Sequence, residues 1–169
     1  GLHDYTISIW SHPEWMHYRD ERRWNQFRDE CTDEAIDWII NVLNFITERG
    51  YPAPSMFSIQ NEPMDPSANI KPEQLKALVL KLREALDENG YEDVKIGAPE
   101  GASIWQTFGS IGDNFSMWEE NPDYSDAVGA FVYHSYPQNY DNLDVLKNFK
   151  ECLNRYPDKE IWQTELSLL

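Results

Sequence analysis

The chain has 169 residues, of which 41% are hydrophobic and 14% aromatic, so it is long and apolar enough to bury a core. Thirty acidic and 14 basic residues give a formal net charge of −16, which argues against non-specific nucleic-acid binding and against an anionic membrane surface. No apolar run approaches the roughly 18 residues of a membrane span. We expect a soluble protein that handles neutral or cationic ligands.

Five strand-like runs recur along the chain. They cover residues 5–10, 56–60, 94–98, 130–135 and 160–165. Most are apolar with little polar alternation, which is typical of strands that are covered on both faces.

Helical patterns lie between these runs. One helix begins near Thr32 and ends before Gly50, and a second begins at Pro72 and ends before Gly90. Their inward faces are predicted to carry Ile36, Ile39, Ile40, Leu43 and Ile46 in the first, and Leu75, Leu78, Val79, Leu82 and Leu86 in the second. A third helix is expected over 144–156, with Leu146, Phe149 and Leu153 inward. Residues 100–126 predict a large loop with short helical pieces, in which Trp105 and Trp118 are more often buried anchors than sugar platforms.

The alternation of strands and helices predicts an α/β fold with a parallel sheet and right-handed crossovers. Either an open doubly wound sheet or a (β/α) barrel fits, but no Gly-rich phosphate loop follows a strand, which weakens the first. Polar and aromatic residues cluster at the carboxyl ends of the strands: Trp10, Asn61, Glu62, His134, Tyr136 and Glu165. In a barrel these ends form the active face.

The run 56–60 ends in Asn61-Glu62-Pro63. Pro63 cannot donate to a strand ladder and favours extended geometry at Glu62, so Glu62 is predicted at the mouth of the sheet. Glu165 ends the last strand in the same way. A glutamate at a strand end is more often a solvated rim residue. A pair on different strands, however, is what glycoside hydrolysis needs, since one carboxyl protonates the leaving oxygen and the other attacks the anomeric carbon.

Other chemistries have weaker support. His3, His12, His17 and His134 show no paired metal-ligand spacing, so no metal site and no cofactor is predicted. There is no Gly-x-Ser-x-Gly, and Cys31 and Cys152 lie away from strand ends, as free thiols or as a disulfide. The remaining acidic candidates, Glu14, Glu100 and Glu119, are interpreted as surface or loop carboxylates.

Four motifs together resemble a known family. "IQNEP" at 59–63 resembles the acid/base motif of clan A glycoside hydrolases, which are (β/α)8-barrel retaining enzymes. "WSHPEWM" at 10–16, "HSY" at 134–136 and "IWQTELSLL" at 161–169 resemble segments of glycoside hydrolase family 30 in that family's order. The resemblance implies a (β/α)8 TIM-barrel type fold of which about five βα units are present, corresponding to the third to seventh strands. Residues 1–169 would then form a single partial barrel catalytic domain.

The resemblance also implies roles. Glu62 would be the general acid/base, Glu165 the nucleophile, and Asn61 the partner of the sugar 2-hydroxyl. Tyr136 would hydrogen-bond the nucleophile and His134 would position the pocket. Trp10 and Trp15 would wall the sugar subsite, although each could instead be a packing residue.

Three hypotheses follow. The first is a retaining glycosidase that cleaves a neutral β-glycan or β-glycoside by double displacement, extracellular or secreted, without a cofactor. The second is a non-catalytic carbohydrate-binding remnant. The third is a scaffold or interaction protein whose exposed sheet edges recruit a partner. Because a barrel typically needs about 250 residues, an oligomer or a further chain segment is also expected to complete it.

Overall fold

A computed structural model describes residues 4–21, 25–63, 69–108, 117, 118, 120–135 and 143–166. Its described strands are β1 (Thr6–Ser8), β2 (Met56–Ser58), β3 (Lys95–Gly101), β4 (Ala130–Ser135) and β5 (Glu160–Leu166). They form one sheet in the order β1-β2-β3-β4-β5, and every neighbouring pair is parallel. The sheet curls into a half-barrel.

The helices lie in the connections, as the sequence predicts. They are α1 (Thr32–Thr47), α2 (Pro72–Glu88), α3 (Ile104–Phe108), α4 (Pro122–Ala127) and α5 (Leu143–Arg155). Short 3-10 turns cover Glu14–Met16 and Asp29–Cys31. Since right-handed crossovers between consecutive neighbours all turn the same way, the helices cover one face of the sheet, as in a barrel and unlike a doubly wound sheet. Within the described residues, no helix is both long and apolar enough to span a membrane.

The main core lies between this helical layer and the outer face of the sheet. The predicted inward residues of α1 and α2 are buried there, apart from Ile46, which is only half-buried. Strand residues Phe57, Ile96 and Phe131 meet them from the sheet. The stops predicted for both helices are also found, because Gly50 and Gly90 adopt the positive φ values of +81° and +78° that glycine allows.

The inner, concave face carries a second and smaller cluster near the amino ends of the strands. Met56, Ala130 and Val132 are buried there, and Trp162 packs against them. Gly97 lies between Met56 and Val132, and a Cβ at this position would come within 2.8 Å of side-chain atoms of both. We call Met56, Gly97, Ala130, Val132 and Trp162 the floor of the half-barrel.

One sequence-based expectation is wrong, one is confirmed, and one open alternative is decided. Leu153 of α5 is 42% exposed and does not face inward. Trp118 is a buried anchor that stacks on Phe131 with ring centroids 4.2 Å apart. Cys31 is a buried free thiol, whereas the side chains of Cys152, Leu146 and Trp105 lie outside the described set.

Candidate active site

The end of β2 is tied to its neighbours by backbone hydrogen bonds. The Asn61 N–H donates to the Ile9 carbonyl at 2.8 Å, and the Glu62 N–H donates to the Glu100 carbonyl at 3.0 Å. Glu62 therefore lies at the mouth of the sheet, as expected. Its predicted extended geometry is wrong, however, because its φ is +48°. The hydrogen bond across to β3 outweighs the local preference set by Pro63.

Glu100 is the largest departure from the sequence analysis. It is not a surface or loop carboxylate, because it belongs to β3 and is only 3% exposed. Its φ is +54°, and the β3–β4 register skips it: Pro99 pairs with Val132 and Gly101 with Tyr133. A non-glycine residue in the left-handed region costs on the order of 1–3 kcal/mol, and such residues concentrate at functional sites.

A second bulge lies one strand further along the sheet. Tyr133 pairs with Gln163 and His134 with Glu165, so Thr164 is the extra residue. A bulge next to a site re-aims the side chains that follow it. Here it brings Glu165 to the level of His134, which is completely buried at the end of β4.

Three glutamates surround His134. Its Nδ1 lies 2.8 Å from Glu62 Oε1, while its Nε2 lies 3.7 Å from Glu165 Oε1 and 3.8 Å from Glu100 Oε1. One oxygen of Glu62 and one of Glu165 lie within 4.8 Å of each other. The sequence places these residues far apart at 62, 134 and 165, and the sheet brings them to one point.

The surrounding charge determines the protonation of His134. Burial acts to lower the pKa of this imidazole, but hydrogen bonding to Glu100 and Glu62, together with the charge of Glu165, raises it above the ordinary value. The protonated ring can donate from Nδ1 to Glu62 while Nε2 faces the other two carboxylates. His134 thus links the two glutamates that the sequence singled out.

Asn61 and its neighbours form the adjacent wall. Asn61 is 7% exposed, and within the described residues its Oδ1 has no hydrogen-bond partner. Gln60 fixes the backbone around it, since its Nε2 donates to the carbonyls of Trp10 at 3.2 Å and Asn61 at 2.7 Å. His12 Nδ1 contacts Gln60 Oε1 at 3.2 Å from the other side. The Gln60 bonds hold the backbone of this wall, and the buried Oδ1 of Asn61 is an acceptor without a partner among the described residues.

The two tryptophans predicted to wall a subsite are exposed. Trp10, just after β1, is 69% exposed, and Trp15 in the β1–α1 connection is 54% exposed. Trp15 also lines a groove of about 760 Å³ with Tyr18 and Arg28. Their rings are thus open to stacking rather than packed in a core. Tyr136 lies outside the described residues.

A metal ion is a second way to interpret the cluster. Glu62, His134 and Glu165 each offer one ligand-type atom, and these atoms lie within 4.8 Å of one another. Sequence spacing gave no indication of this. The Nδ1 of His134 is already engaged by Glu62 at 2.8 Å, so we interpret the cluster as a hydrogen-bonded network and not as a ligand set.

Sequence reasoning missed Glu100 and its two hydroxyl partners. Ser8 Oγ donates to Glu100 Oε2 at 2.5 Å, and Thr164 Oγ1 donates to Glu100 Oε1 at 3.3 Å. A signal was present, because Glu100 follows an apolar run by two residues in "KIGAPEG", just as Glu62 follows its own run. Because Pro99 precedes it, Glu100 was predicted to begin a loop.

Comparisons with solved structures show the fold. SrfJ from Salmonella typhimurium superposes with a TM-score of 0.79 at 20% identity, covering 96% of this chain and 36% of that one. An endo-beta-1,6-glucanase gives 0.76 at 18% identity, covering 95% and 37%. The glycoside hydrolase family 30 subfamily 8 xylanase Xyn30A from Clostridium acetobutylicum gives 0.65 at 16% identity, covering 97% and 39%.

These likenesses concern the fold alone, because sequence identity is low. The chain spans between 36% and 39% of the length of these three neighbours. No protein-family model and no curated protein matched the sequence. The fold is therefore that of a partial TIM-barrel-like half-barrel similar to glycoside hydrolases.

Proposed function

We propose that the strand ends of this chain form the catalytic centre of a retaining glycoside hydrolase that acts on a neutral β-glycan or β-glycoside. One observation carries the proposal. Glu62 and Glu165 come from strand ends more than 100 residues apart, yet one oxygen of each lies within 4.8 Å of the other, with buried His134 beside both. Carboxyl groups roughly 5–5.5 Å apart are typical of retaining enzymes, whereas inverting enzymes need about 6.5–9.5 Å.

The reaction then runs in two displacements. Glu165 attacks the anomeric carbon, the glycosidic C–O bond breaks, and Glu62 gives its proton to the leaving oxygen. In the second step Glu62 takes a proton from water, and the water oxygen displaces Glu165 from the anomeric carbon. The assignment of nucleophile and acid/base between the two glutamates rests on the resemblance of "IQNEP" and "IWQTELSLL" to family 30 motifs.

His134 and Asn61 have supporting roles in this proposal. His134 and Glu62 form a coupled pair in which one proton can reside on Nδ1 or on Oε1, next to the leaving oxygen. Asn61 Oδ1 accepts a hydrogen bond from the sugar 2-hydroxyl, an interaction that strengthens in the transition state. Trp10 and Trp15 supply exposed rings on which the apolar face of a pyranose stacks.

The net charge of −16 supports a neutral glycan, since an acidic protein repels polyanions. Among the described strands, β1 and β5 form the two edges of the sheet. We propose that further strands, from the same chain or a partner, complete a (β/α)8 barrel there. The extracellular or secreted location and the single catalytic domain over 1–169 remain predictions.

Covalent trapping tests this function. The protein is incubated with 2-deoxy-2-fluoro-β-glycosides of the gluco, xylo and galacto series and examined by intact and peptide mass spectrometry. We expect an adduct on Glu165, none in Glu165→Gln, and an unchanged adduct in Glu160→Gln, which makes the same substitution at the other end of β5. A folded protein that forms no adduct with any sugar, while still binding sugars, would identify a carbohydrate-binding remnant instead.

A further inference from the structure

Two bulges converge on a single contact. Glu100 is the extra residue where β3 pairs with β4, and Thr164 is the extra residue where β4 pairs with β5. The two bulged side chains meet, since Thr164 Oγ1 donates to Glu100 Oε1 at 3.3 Å. Each irregularity would be a local kink by itself. Together they direct a hydroxyl and a carboxylate toward each other beneath His134.

Glu100 also reaches the opposite edge of the described sheet. Its other oxygen, Oε2, accepts a hydrogen bond from Ser8 Oγ on β1 at 2.5 Å. One carboxylate therefore connects β1 and β5, the first and last strands in the sheet order. Thr164, which it holds, directly precedes Glu165. Glu165 thus lies one residue from a hydrogen bond to a side chain of β3.

Among the described residues, no lysine or arginine pairs with the Glu100 carboxylate within 4.0 Å. Within the described ranges, the cationic group that lies within 4.0 Å of its carboxylate is His134, whose Nε2 is 3.8 Å from Oε1. A buried carboxylate is costly unless it is paired and hydrogen-bonded, and it favours the charged form of an imidazole beside it. The other titratable groups facing His134 among the described residues are Glu62, from the end of β2, and Glu165, from β5.

We propose that Glu100 is a positioning residue of this site: it holds Glu165 through Thr164 and keeps His134 in the doubly protonated form that donates to Glu62. The catalytic consequence rests on the proposed glycosidase function, whereas the effect on His134 does not. Glu100 does not need to touch the substrate for this role. It would act through Thr164, which precedes Glu165 in the chain, and through His134, which lies beside Glu62 and Glu165.

Nitrogen NMR of the histidine rings tests the proposal without any substrate. The chain has four histidines, and a His134→Gln variant assigns the His134 signals in ¹⁵N-labelled protein. In the unmodified protein, recorded with a chelator present, we expect the His134 titration midpoint above the ordinary value of about 6.5. In Glu100→Gln we expect it to fall by roughly 1 pH unit or more, while the midpoint of His12 stays unchanged.

Three further variants control the experiment. Glu88→Gln removes an exposed carboxylate and should leave His134 unchanged. Thr164→Val removes a hydroxyl but no charge, and should shift the midpoint less than Glu100→Gln does. Glu100→Asp keeps the charge and should restore a raised midpoint, which a merely structural loss would not do.

Two results would overturn the proposal. One is a midpoint at or below about 6.5 in the unmodified protein, which needs no variant to fold. The other is a folded Glu100→Gln protein whose His134 titrates as before. The fluoro-sugar adduct is a separate measurement: if Glu165 is labelled in the unmodified protein, Glu100→Gln should slow this labelling, because Thr164 loses its hydrogen-bond partner next to Glu165. A His134 shift without any labelling would reject the glycosidase and retain the positioning role.

Discussion

The floor of the half-barrel and its mouth, where Glu62, Glu100, His134 and Glu165 lie, are built from the same strands. They differ in polarity and in the regularity of strand pairing. The floor is apolar and closely packed, and β4 pairs there in regular register with β3 and β5 through Ala130 and Val132. The mouth has two register skips, two non-glycine residues with positive φ, and three carboxylates around one imidazole. The difference indicates that the floor stabilises the fold, and that the mouth uses part of this stability to hold charged groups in strained positions.

The largest expected effect comes from replacing the proposed nucleophile at the mouth while the floor remains intact. Glu165→Gln should lower the rate of glycoside turnover by roughly 10⁴-fold or more, because the nucleophile is lost. The free energy of unfolding should change far less than the rate, because glutamine keeps the size of this partly exposed side chain. The rate of turnover is measured with the β-glycoside whose fluoro derivative labels the protein. The free energy of unfolding is measured by urea denaturation. Full activity in Glu165→Gln would contradict the proposed nucleophile.

The reverse experiment removes packing at the floor. Met56→Ala should lower the free energy of unfolding by about 2–5 kcal/mol, because Met56 is 1% exposed and its removal leaves a cavity. Chemical denaturation measures this loss. A change below about 0.5 kcal/mol would mean that the floor is not the stabilising region.

Two histidines sharpen the comparison through pH. Burial, then the charge of His17, lowers the pKa of His12 to about 4, so His12 folds in its neutral form. A lowered folded-state pKa means that stability is lost as pH falls from about 6.5 toward 4, by up to about 3 kcal/mol. His12→Gln should remove most of this pH dependence in denaturation curves recorded across that range.

His134 should show the opposite sign. Its raised folded-state pKa contributes stability that is fully present below the unfolded value of about 6.5 and is lost as pH rises through the folded value. The free energies of unfolding of the unmodified protein and of His134→Gln should therefore differ most on the acid side of this window. The difference should shrink on the alkaline side. A difference that grows on the alkaline side would contradict the protonated state inferred for His134.

The smallest expected effect tests how closely the floor is packed. Gly97→Ala should cost about 1–3 kcal/mol, because the added methyl group meets Met56 Sδ at 2.7 Å and Val132 Cγ2 at 2.8 Å. Adding Met56→Ala should relieve part of this clash, so the double variant should be less destabilised than the sum of the two single variants. Strict additivity in urea denaturation would show that Gly97 and Met56 do not share this space.

Much of the fold can be predicted from local patterns. The strand at 130–135 is found at the predicted bounds, and α2 begins at Pro72 and buries the predicted leucine face. These predictions succeed because side-chain periodicity, proline and glycine act within a few residues of themselves. Leu153 fails the same kind of prediction because its burial depends on what α5 packs against, which periodicity does not specify.

The residues of the site also divide into those that the sequence predicts and those that it does not. Asn61, Glu62, His134 and Glu165 could be selected from the sequence because each lies at or just after the carboxyl end of a predicted strand, and these ends share one edge of a parallel sheet. Glu100 was assigned to a loop because a bulge cannot be read from residue types: the register skip exists only in relation to β4. Likewise, the positive φ of Glu62 follows from a hydrogen bond to another strand.

The sequence by itself determined the elements, their alternation and the carboxylates at the strand ends, because these depend on local propensity and spacing. Only the tertiary structure decided that Glu62, Glu100 and Glu165 surround His134, and that Glu100 is buried and shared between Ser8 and Thr164. The physical reason is that hydrogen bonds and charge interactions between distant strands depend on register and curl. Both of these properties arise only when the whole sheet is assembled.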